Sequence, residues 1–330
     1  MCVAGKQSDV FPLEFGVPQG SIIGPKAFIM YSQPVAQIIR FHGIKFHIYA
    51  DDIQLYITFN PQIPGEAAVA TYRLTSCVAD IRRWMTENKL KLNDSKTEFF
   101  ISASQKNMSK LSHINIRIGN ETISPSNTIK NLGVTFDPSM TMSSHITSLC
   151  QSINFNLRNI SRIRRFIDKE SCAHAMRALI LSRLDYANSL LAGCRGSDIT
   201  RLQRLQNRAA RIIFQVPCRH SSSPLLQSLH WLPIEKRIIF KILLYVYKSL
   251  HGLTPTYLSD SISLHKPSRQ GLRSAMDATR LMVPPRSRRM VGERAFPICA
   301  PKLWNDLPST IRSASSPQTF KRQLKTQLFV

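Results

Sequence analysis

Two adjacent carboxylates, Asp51 and Asp52, stand between two runs of alternating apolar residues, and they are the strongest chemical signal in this sequence. The runs 44–48 and 55–59 predict two half-buried strands, with the acidic pair at the bend of a β-hairpin. Carboxylates on an exposed bend can bind a divalent cation such as Mg²⁺ without the free-energy cost of burying charge in a core. Aspartate is also a common turn residue, so the pair taken alone is better explained as the end of a hairpin.

Other segments that accompany the acidic pair change this interpretation. In chain order they are Gly16-Val17-Pro18-Gln19-Gly20, then Tyr49-Ala50-Asp51-Asp52, then the run from Leu90 to Glu98 that contains Lys96, then Leu132-Gly133-Val134. In this order and spacing they resemble the palm motifs of reverse transcriptases, specifically those of non-LTR (LINE-type) retrotransposons.

The resemblance implies a role for each motif. Asp51 and Asp52 are expected to bind magnesium, with two ions in the complete family site. Lys96 is expected near the leaving pyrophosphate, although an ordinary surface lysine is an equally good explanation. The turn at Leu132 and Gly133 is expected to be the primer grip, although any tight β-turn has the same pattern. The expected substrate-binding residues are Pro18, Gln19, Gly20, Tyr49 and Ala50.

One motif of this family is not found in the sequence. The family's other metal-binding aspartate lies on a strand before the Gly16–Gly20 loop, and the acids there, Asp9 and Glu14, do not match it. Because two metals about 3.5–4 Å apart need carboxylates from separate strands, one hairpin does not complete the site. We therefore expect the chain to be inactive as a polymerase on its own, and to be either a truncated retrotransposon reading frame or a gene model cut short upstream.

The predicted fold is α+β. Apolar patterns predict helices that pack on an antiparallel sheet over residues 1–138, and the resemblance implies that this layer is a partial polymerase palm. The strands expected in this sheet include residues 99–101, 114–118 and 129–136. The pattern is helical over residues 139–216, with amphipathic helices at 143–165 and 198–214, and the resemblance implies that this region is a thumb. Residues 217–330 are predicted to be a basic, mostly helical C-terminal extension.

The positive charge lies mainly in the second half of the chain. The formal net charge is +24, and residues 151–330 carry 30 basic and 9 acidic side chains. A polyanionic partner is the natural inference. The arginines predicted to contact nucleic-acid phosphates are Arg162, Arg164 and Arg165 at the end of the first helix and Arg201, Arg204, Arg208 and Arg211 along one face of the second. For the first group, part of the cluster is also explained by the preference for positive charge at a helix C-terminus. A solvated face or a surface for a partner helix remains the alternative for the second group.

The expected partners are an RNA template with a DNA primer, or an RNA/DNA hybrid, and the sequence does not indicate an oligomeric state. Seven scattered cysteines without a CxxC pair, together with no signal-peptide pattern or membrane-spanning run, predict an intracellular protein, in the nucleus or the cytoplasm. Two alternatives to a polymerase remain open. The chain is then a non-catalytic nucleic-acid-binding fragment or a pseudogene product.

Overall fold

The computed structural model describes residues 2–3, 6–7, 20–111, 113–119, 121–265, 279–285 and 290–329. Two compact units divide the chain, residues 1–127 and residues 128–330. The described residues are mostly helical and form small antiparallel sheets, which agrees with the predicted α+β class.

The described residues of the first unit form three α-helices and six short strands. The strands are β1 (Cys2–Val3), β2 (Lys6–Gln7), β3 (Lys45–Tyr49), β4 (Asp52–Tyr56), β5 (Ile116–Ile118) and β6 (Glu121–Ile123). The helices are α1 (Gly24–Phe41), α2 (Glu66–Glu87) and α3 (Gln105–Leu111). Helix α1 continues through Pro34, whereas the proline alone would favour an interruption.

Helix α2 contributes to two separate cores in the first unit. Cys77 and Ile81 pack with α1 and with the inner face of the β3–β4 hairpin. Val78 packs on the other core, which contains Phe99 and Ile116. This arrangement explains why the predicted single sheet does not form. In the described residues of this unit, each strand pairs only with its hairpin partner, because α2 separates the hairpins.

Two of the predicted strand segments also differ from the expectation. Phe99 takes part only in an isolated bridge with Pro125, so residues 99–101 are not a strand. Residues 129–136 form a hairpin that belongs to the second unit.

The second unit consists of that hairpin followed by helices. The strands are β7 (Ile129–Asn131) and β8 (Val134–Phe136). The helices are α4 (Ser143–Ile163), α5 (Lys169–Met176), α6 (Ser182–Asp185), α7 (Gly196–Phe214), α8 (Ser223–Ser228), α9 (Ile234–Leu250), α10 (Thr256–Ser259), α11 (Met290–Glu293), α12 (Phe296–Asn305), α13 (Ser309–Arg312) and α14 (Pro317–Phe329).

The helices predicted for residues 143–165 and 198–214 are present as α4 and α7. Both bury the predicted apolar stripes, with Ile153 and Leu157 on α4 and Leu202 and Ala209 on α7. One core contains buried residues from Val134 through Leu328, so the predicted thumb-like and C-terminal regions share a core. The predicted division into residues 1–138, 139–216 and 217–330, with a separate role for each part, stays a prediction.

No helix in the described ranges is long and apolar enough to span a bilayer.

Candidate active site and nucleic-acid interface

The acidic pair lies at the bend of a hairpin, as the sequence predicts. Strands β3 and β4 are joined by the two residues Ala50 and Asp51, and Tyr49 pairs with Asp52 across the bend. Phe46 and Leu55 face the core, so the alternate residues, including Tyr49 and Asp52, face away from it. Both carboxylates are exposed. They are therefore accessible to a hydrated cation.

The bend itself has an uncommon backbone conformation. Ala50 has a φ of 54°, in the left-handed region, which a residue with a Cβ adopts at a cost of about 1–2 kcal/mol. A two-residue hairpin requires positive φ in this loop, so the tight turn imposes the conformation. The turn lies over a small crevice of about 20 Å³ whose walls include Phe28, Met85 and Leu90 as well as Asp51. The first unit thus holds the carboxylates on a short, packed loop.

The predicted substrate loop is described only at its end. Pro18 and Gln19 lie outside the described residues. Gly20 is exposed with a φ of 91°, and a Cβ at this position would have no atom of the described residues within 4 Å. The next residue, Ser21, accepts hydrogen bonds through Oγ from the amides of Ile23 and Gly24, each at 3.2 Å. Ser21 therefore satisfies two backbone amides at the entrance to α1, whose N-cap position is occupied by Ile23.

Lys96 is exposed and ends a short 3₁₀ turn, Asp94–Lys96. An ion pair fixes this turn to α2, because Arg82 donates to both carboxylate oxygens of Asp94 at 2.6 and 2.9 Å. Sequence reasoning missed this pair, since residues twelve apart on different elements carry no local signal. Lys96 is not among the residues that line the crevice beside Asp51.

The carboxylates fit a magnesium ion in part. Hard oxygen ligands on an exposed turn suit a cation that keeps several of its waters. Within the described ranges, however, no group of three or more His, Cys, Asp or Glu side chains comes together. The hairpin therefore offers two ligands, and the described residues bring no further carboxylate to it.

The turn at Leu132 and Gly133 joins β7 and β8, and both residues have positive φ, at 44° and 80°. Two left-handed residues in a two-residue hairpin loop define the conformation that glycine favours. Tyr186 holds the turn, since its phenol donates to the carbonyl of Leu132 at 2.5 Å. Leu132 is 41% exposed, so its side chain is accessible at the tip.

Comparisons with known proteins agree with the motifs. Residues 2–136 match the reverse transcriptase (RNA-dependent DNA polymerase) family model. The chain is also 23% identical over 224 residues to the RNA-directed DNA polymerase from mobile element jockey of Drosophila melanogaster. It is 25% identical over 234 residues to the probable RNA-directed DNA polymerase from transposon BS of the same organism.

The chain is a relative of LINE-type reverse transcriptases. This confirms the resemblance predicted from the motifs. The alignments cover 65% and 68% of the chain but only 23% and 25% of the two relatives, so the chain spans about a quarter of their length. No solved structure matches it.

In the second unit of this chain, helices α4 and α7 run side by side in the same direction. Ser143 bonds Asp198 near the start of both helices, and Arg208 donates to Asn154 at 3.2 Å further along. Arg201 of α7 donates to Oγ1 of Thr147 on α4 at 3.2 Å, across the seam where the two helices meet. It also donates to Oδ1 of Asp198 at 3.1 Å. The seam between α4 and α7 is therefore lined by the arginine face of α7.

The four arginines of α7 differ in how much of their charge remains available. Arg204 and Arg208 are exposed, whereas Arg201 and Arg211 are partly buried. Arg211 donates to the carbonyl of His220 at 2.9 Å. The predicted shared face exists, and its exposed members are Arg204 and Arg208.

The arginines at the end of α4 also differ. Arg162 is exposed, and Arg165 lies over the ring of Phe166 at 4.6 Å. Arg164 instead donates to the carbonyls of Ile212 and Ile213 at 3.1 and 2.8 Å. These carbonyls belong to the last turn of α7, where the helix supplies few further amide donors, and the carbonyl of Ile212 also accepts from the amide of Gln215 at 3.3 Å. Arg164 thus caps a helix, and the sequence alone did not reveal this contact.

Sequence reasoning also missed Asp137, which connects β8 to α4. Its carboxylate accepts bonds from the amides of Thr141 and Met142 at 2.9 and 2.8 Å and from the Thr141 hydroxyl at 3.0 Å. Asp137 thus orders the connection that precedes α4, whose N-cap position is Met142, and no helix-start signal in the sequence points to it.

Proposed function

We propose that this chain supplies the carboxylate hairpin and the helical thumb of an RNA-directed DNA polymerase, which extends a DNA primer on an RNA template. The observation that carries the proposal is the exposed pair Asp51 and Asp52 on a two-residue turn whose strands pack on a core. The family match of residues 2–136 and the two curated relatives support it.

Asp51 and Asp52 would hold magnesium together with a carboxylate from another strand. When bound, two such ions activate the primer 3′-hydroxyl and neutralise charge on the leaving pyrophosphate. The residues of this chain orient the reactants. Gly20 leaves room for a base or sugar, and the Leu132 and Gly133 turn would contact the primer. Lys96 would screen negative charge near the leaving group.

We also propose that the 330-residue chain does not extend a primer on its own. Its described residues bring two carboxylates, and no third ligand, to the hairpin. Removal of one element that stabilises the transition state commonly lowers kcat by a factor of about 10²–10³. A missing metal ligand should lower it at least as much.

Manganese binding tests the role of the acidic pair. Mn²⁺ replaces Mg²⁺ at oxygen sites, and the signal of free Mn²⁺ in electron paramagnetic resonance falls as the ion binds. We expect weak binding to the wild type that Asp51→Asn lowers at least about tenfold, because one of the ion's two carboxylates is lost. Glu121→Gln, which removes an exposed carboxylate from another hairpin of the same unit, is the matched control. Equal binding by wild type and Asp51→Asn would remove the metal role.

Primer extension on an RNA template with Mg²⁺ tests the activity separately. We expect no extension by the chain alone. Extension by the wild type that disappears in Asp51→Asn would overturn the proposed inactivity and would support the polymerase function. Extension that Asp51→Asn leaves unchanged would overturn both the inactivity and the assigned site.

The second candidate function is nucleic-acid binding without catalysis. It is favoured by α4, which carries exposed arginines and no acidic residue, next to the arginine face of α7. An RNA/DNA hybrid with phosphates along the seam should bind with steep salt dependence. The logarithm of the binding constant should fall against log[salt] with a slope of about −0.7 to −0.9 per phosphate contacted. A flat response would contradict this function.

A further inference from the structure

Residues 217–330 contain no motif to which the sequence assigns chemistry, yet two of their arginines contact the same segment of the second unit. Arg237 lies on α9, and Arg294 lies between α11 and α12. Both reach the segment 185–194, which begins at the last residue of α6. This segment in turn contacts the β7–β8 hairpin.

Arg237 fixes the beginning of the segment. Its Nε donates to Oδ1 of Asp185 at 2.8 Å, and a second guanidinium nitrogen donates to the other carboxylate oxygen. The side chain of Arg237 is only 15% exposed. A bidentate, charge-assisted pair in a partly buried position has one favourable geometry. It therefore fixes the position of the next residue, Tyr186.

Tyr186 transmits this position to the hairpin turn. Its phenol donates to the carbonyl of Leu132 at 2.5 Å, and its ring lies over Gly133, where an added Cβ would be 3.5 Å from Cε1. Both the hydrogen bond and the ring contact fall on the two left-handed residues of the turn. Tyr186 thus contacts the two residues whose left-handed backbone conformation closes the hairpin turn.

Arg294 fixes the other end of the segment and the chain that leaves the hairpin. It donates to the carbonyls of Leu190 and Ala192 at 3.2 and 2.7 Å. It also donates to the carbonyl of Met140 at 2.8 Å and to Sγ of Cys194 at 3.1 Å. Met140 lies between β8 and α4, so one guanidinium joins the exit of the hairpin to the segment that braces its tip.

We propose that the C-terminal region positions the Leu132 and Gly133 turn through Arg237 and Arg294, with Tyr186 as the contact residue. A two-stranded hairpin is marginally stable by itself, and β7 and β8 pair only with each other among the described strands. The order of this turn therefore depends on contacts from outside the hairpin. The positioning matters for catalysis only if the turn contacts the primer, so this inference rests on the proposed function.

We call the contacts of Tyr186, Arg237 and Arg294 that hold this turn the brace. Hydrogen exchange of the amides of residues 131–134 in the full chain measures it directly. The variants are Tyr186→Phe, which keeps the ring and loses the hydrogen bond, Arg237→Gln, and Arg237→Lys. The control is Arg322→Gln, which replaces an exposed arginine on α14. We expect exchange about fivefold faster in Tyr186→Phe and at least as fast in Arg237→Gln, since one hydrogen bond of about 1 kcal/mol is lost. Arg237→Lys should recover part of the protection, and Arg322→Gln should match the wild type.

A binding measurement separates this inference from the proposed function. Each protein is titrated with an RNA/DNA hybrid that has a recessed primer 3′ end and with the same hybrid made blunt. If the wild type prefers the recessed end, and the variants show faster exchange and lose this preference, both the brace and the primer contact are supported. Unchanged exchange in Tyr186→Phe and Arg237→Gln overturns the brace. Faster exchange without any wild-type preference supports the brace and contradicts the primer-grip role.

Discussion

Arg82 and Asp94 form an ion pair with two hydrogen bonds, and this pair fixes the turn that carries Lys96 to the side of α2. About a third of each side chain is exposed. The paired geometry is therefore only partly screened by water. The role expected of Lys96 requires a defined position. The pair supplies it by attaching the Asp94–Lys96 turn to α2.

A double-mutant cycle should detect this pair. Arg82→Gln, Asp94→Asn and the double variant are expected to give a coupling free energy of unfolding of about 1 kcal/mol, because a bidentate pair is stronger than a typical surface pair. Urea unfolding measures it. The control is Arg83→Gln, which removes a single 3.2 Å contact to Asp80 from a side chain that is 70% exposed. A coupling no larger than the effect of Arg83→Gln would mean that the pair does not fix the turn.

Gly193 should tolerate a side chain less well than Gly252, although both have nearly the same backbone conformation, with φ of 64° and 66°. A Cβ at Gly193 would lie 2.7 Å from Cγ of Arg294, whereas a Cβ at Gly252 would meet no atom within 4 Å. Gly193→Ala is therefore expected to lower the free energy of unfolding by about 1–3 kcal/mol more than Gly252→Ala, which carries only the backbone strain.

Thermal or urea unfolding of the two alanine variants makes this comparison. The backbone strain is common to both variants. Equal destabilisation would therefore contradict the expected steric clash between the new Cβ at position 193 and the side chain of Arg294.

Arg164 and Arg204 should give opposite results on replacement by glutamine. Arg164 caps α7, so Arg164→Gln is expected to lower the free energy of unfolding by about 1–3 kcal/mol. Arg204 is exposed, so Arg204→Gln should leave stability within about 0.5 kcal/mol of the wild type. Arg204→Gln should instead reduce the magnitude of the salt slope for hybrid binding by about 0.7–0.9, the contribution of one phosphate.

The measurements are urea unfolding and fluorescence anisotropy of a labelled hybrid across a salt series. A salt slope unchanged in Arg204→Gln would exclude this residue from the phosphate contacts.

His145 should make the second unit less stable in mild acid. Burial lowers the pKa of His145 below its ordinary value of 6.5, and its Nδ1 accepts a bond from the amide of Thr135 at 3.4 Å. The unfolded chain therefore binds a proton more readily than the folded chain. The stabilisation is present above the unfolded pKa and is lost as pH falls through the folded pKa.

Unfolding free energies measured from about pH 7 down to about pH 5 test this sign. The decrease should be smaller in His145→Gln than in the wild type, and His113→Gln, which replaces an exposed histidine, should keep the full decrease. A His145→Gln profile parallel to that of the wild type would contradict the role of this imidazole.

The sequence by itself determined the local elements and the family. Alternating apolar residues around Asp51 and Asp52 fixed the hairpin, and the 3.6-residue periodicity fixed α4 and α7, because these patterns depend on neighbouring residues alone. Motif order was sufficient to recognise a relative of LINE-type reverse transcriptases.

Only the tertiary structure decided which of these elements share a sheet and what each arginine does. The expected single sheet is divided because α2 lies between two hairpins, and Arg164 caps a helix while Arg204 remains exposed. Contacts between Arg237 and Asp185, or between Tyr186 and Leu132, join residues more than fifty positions apart. Such contacts follow from how helices and turns pack in three dimensions, and no local pattern of residue types encodes them.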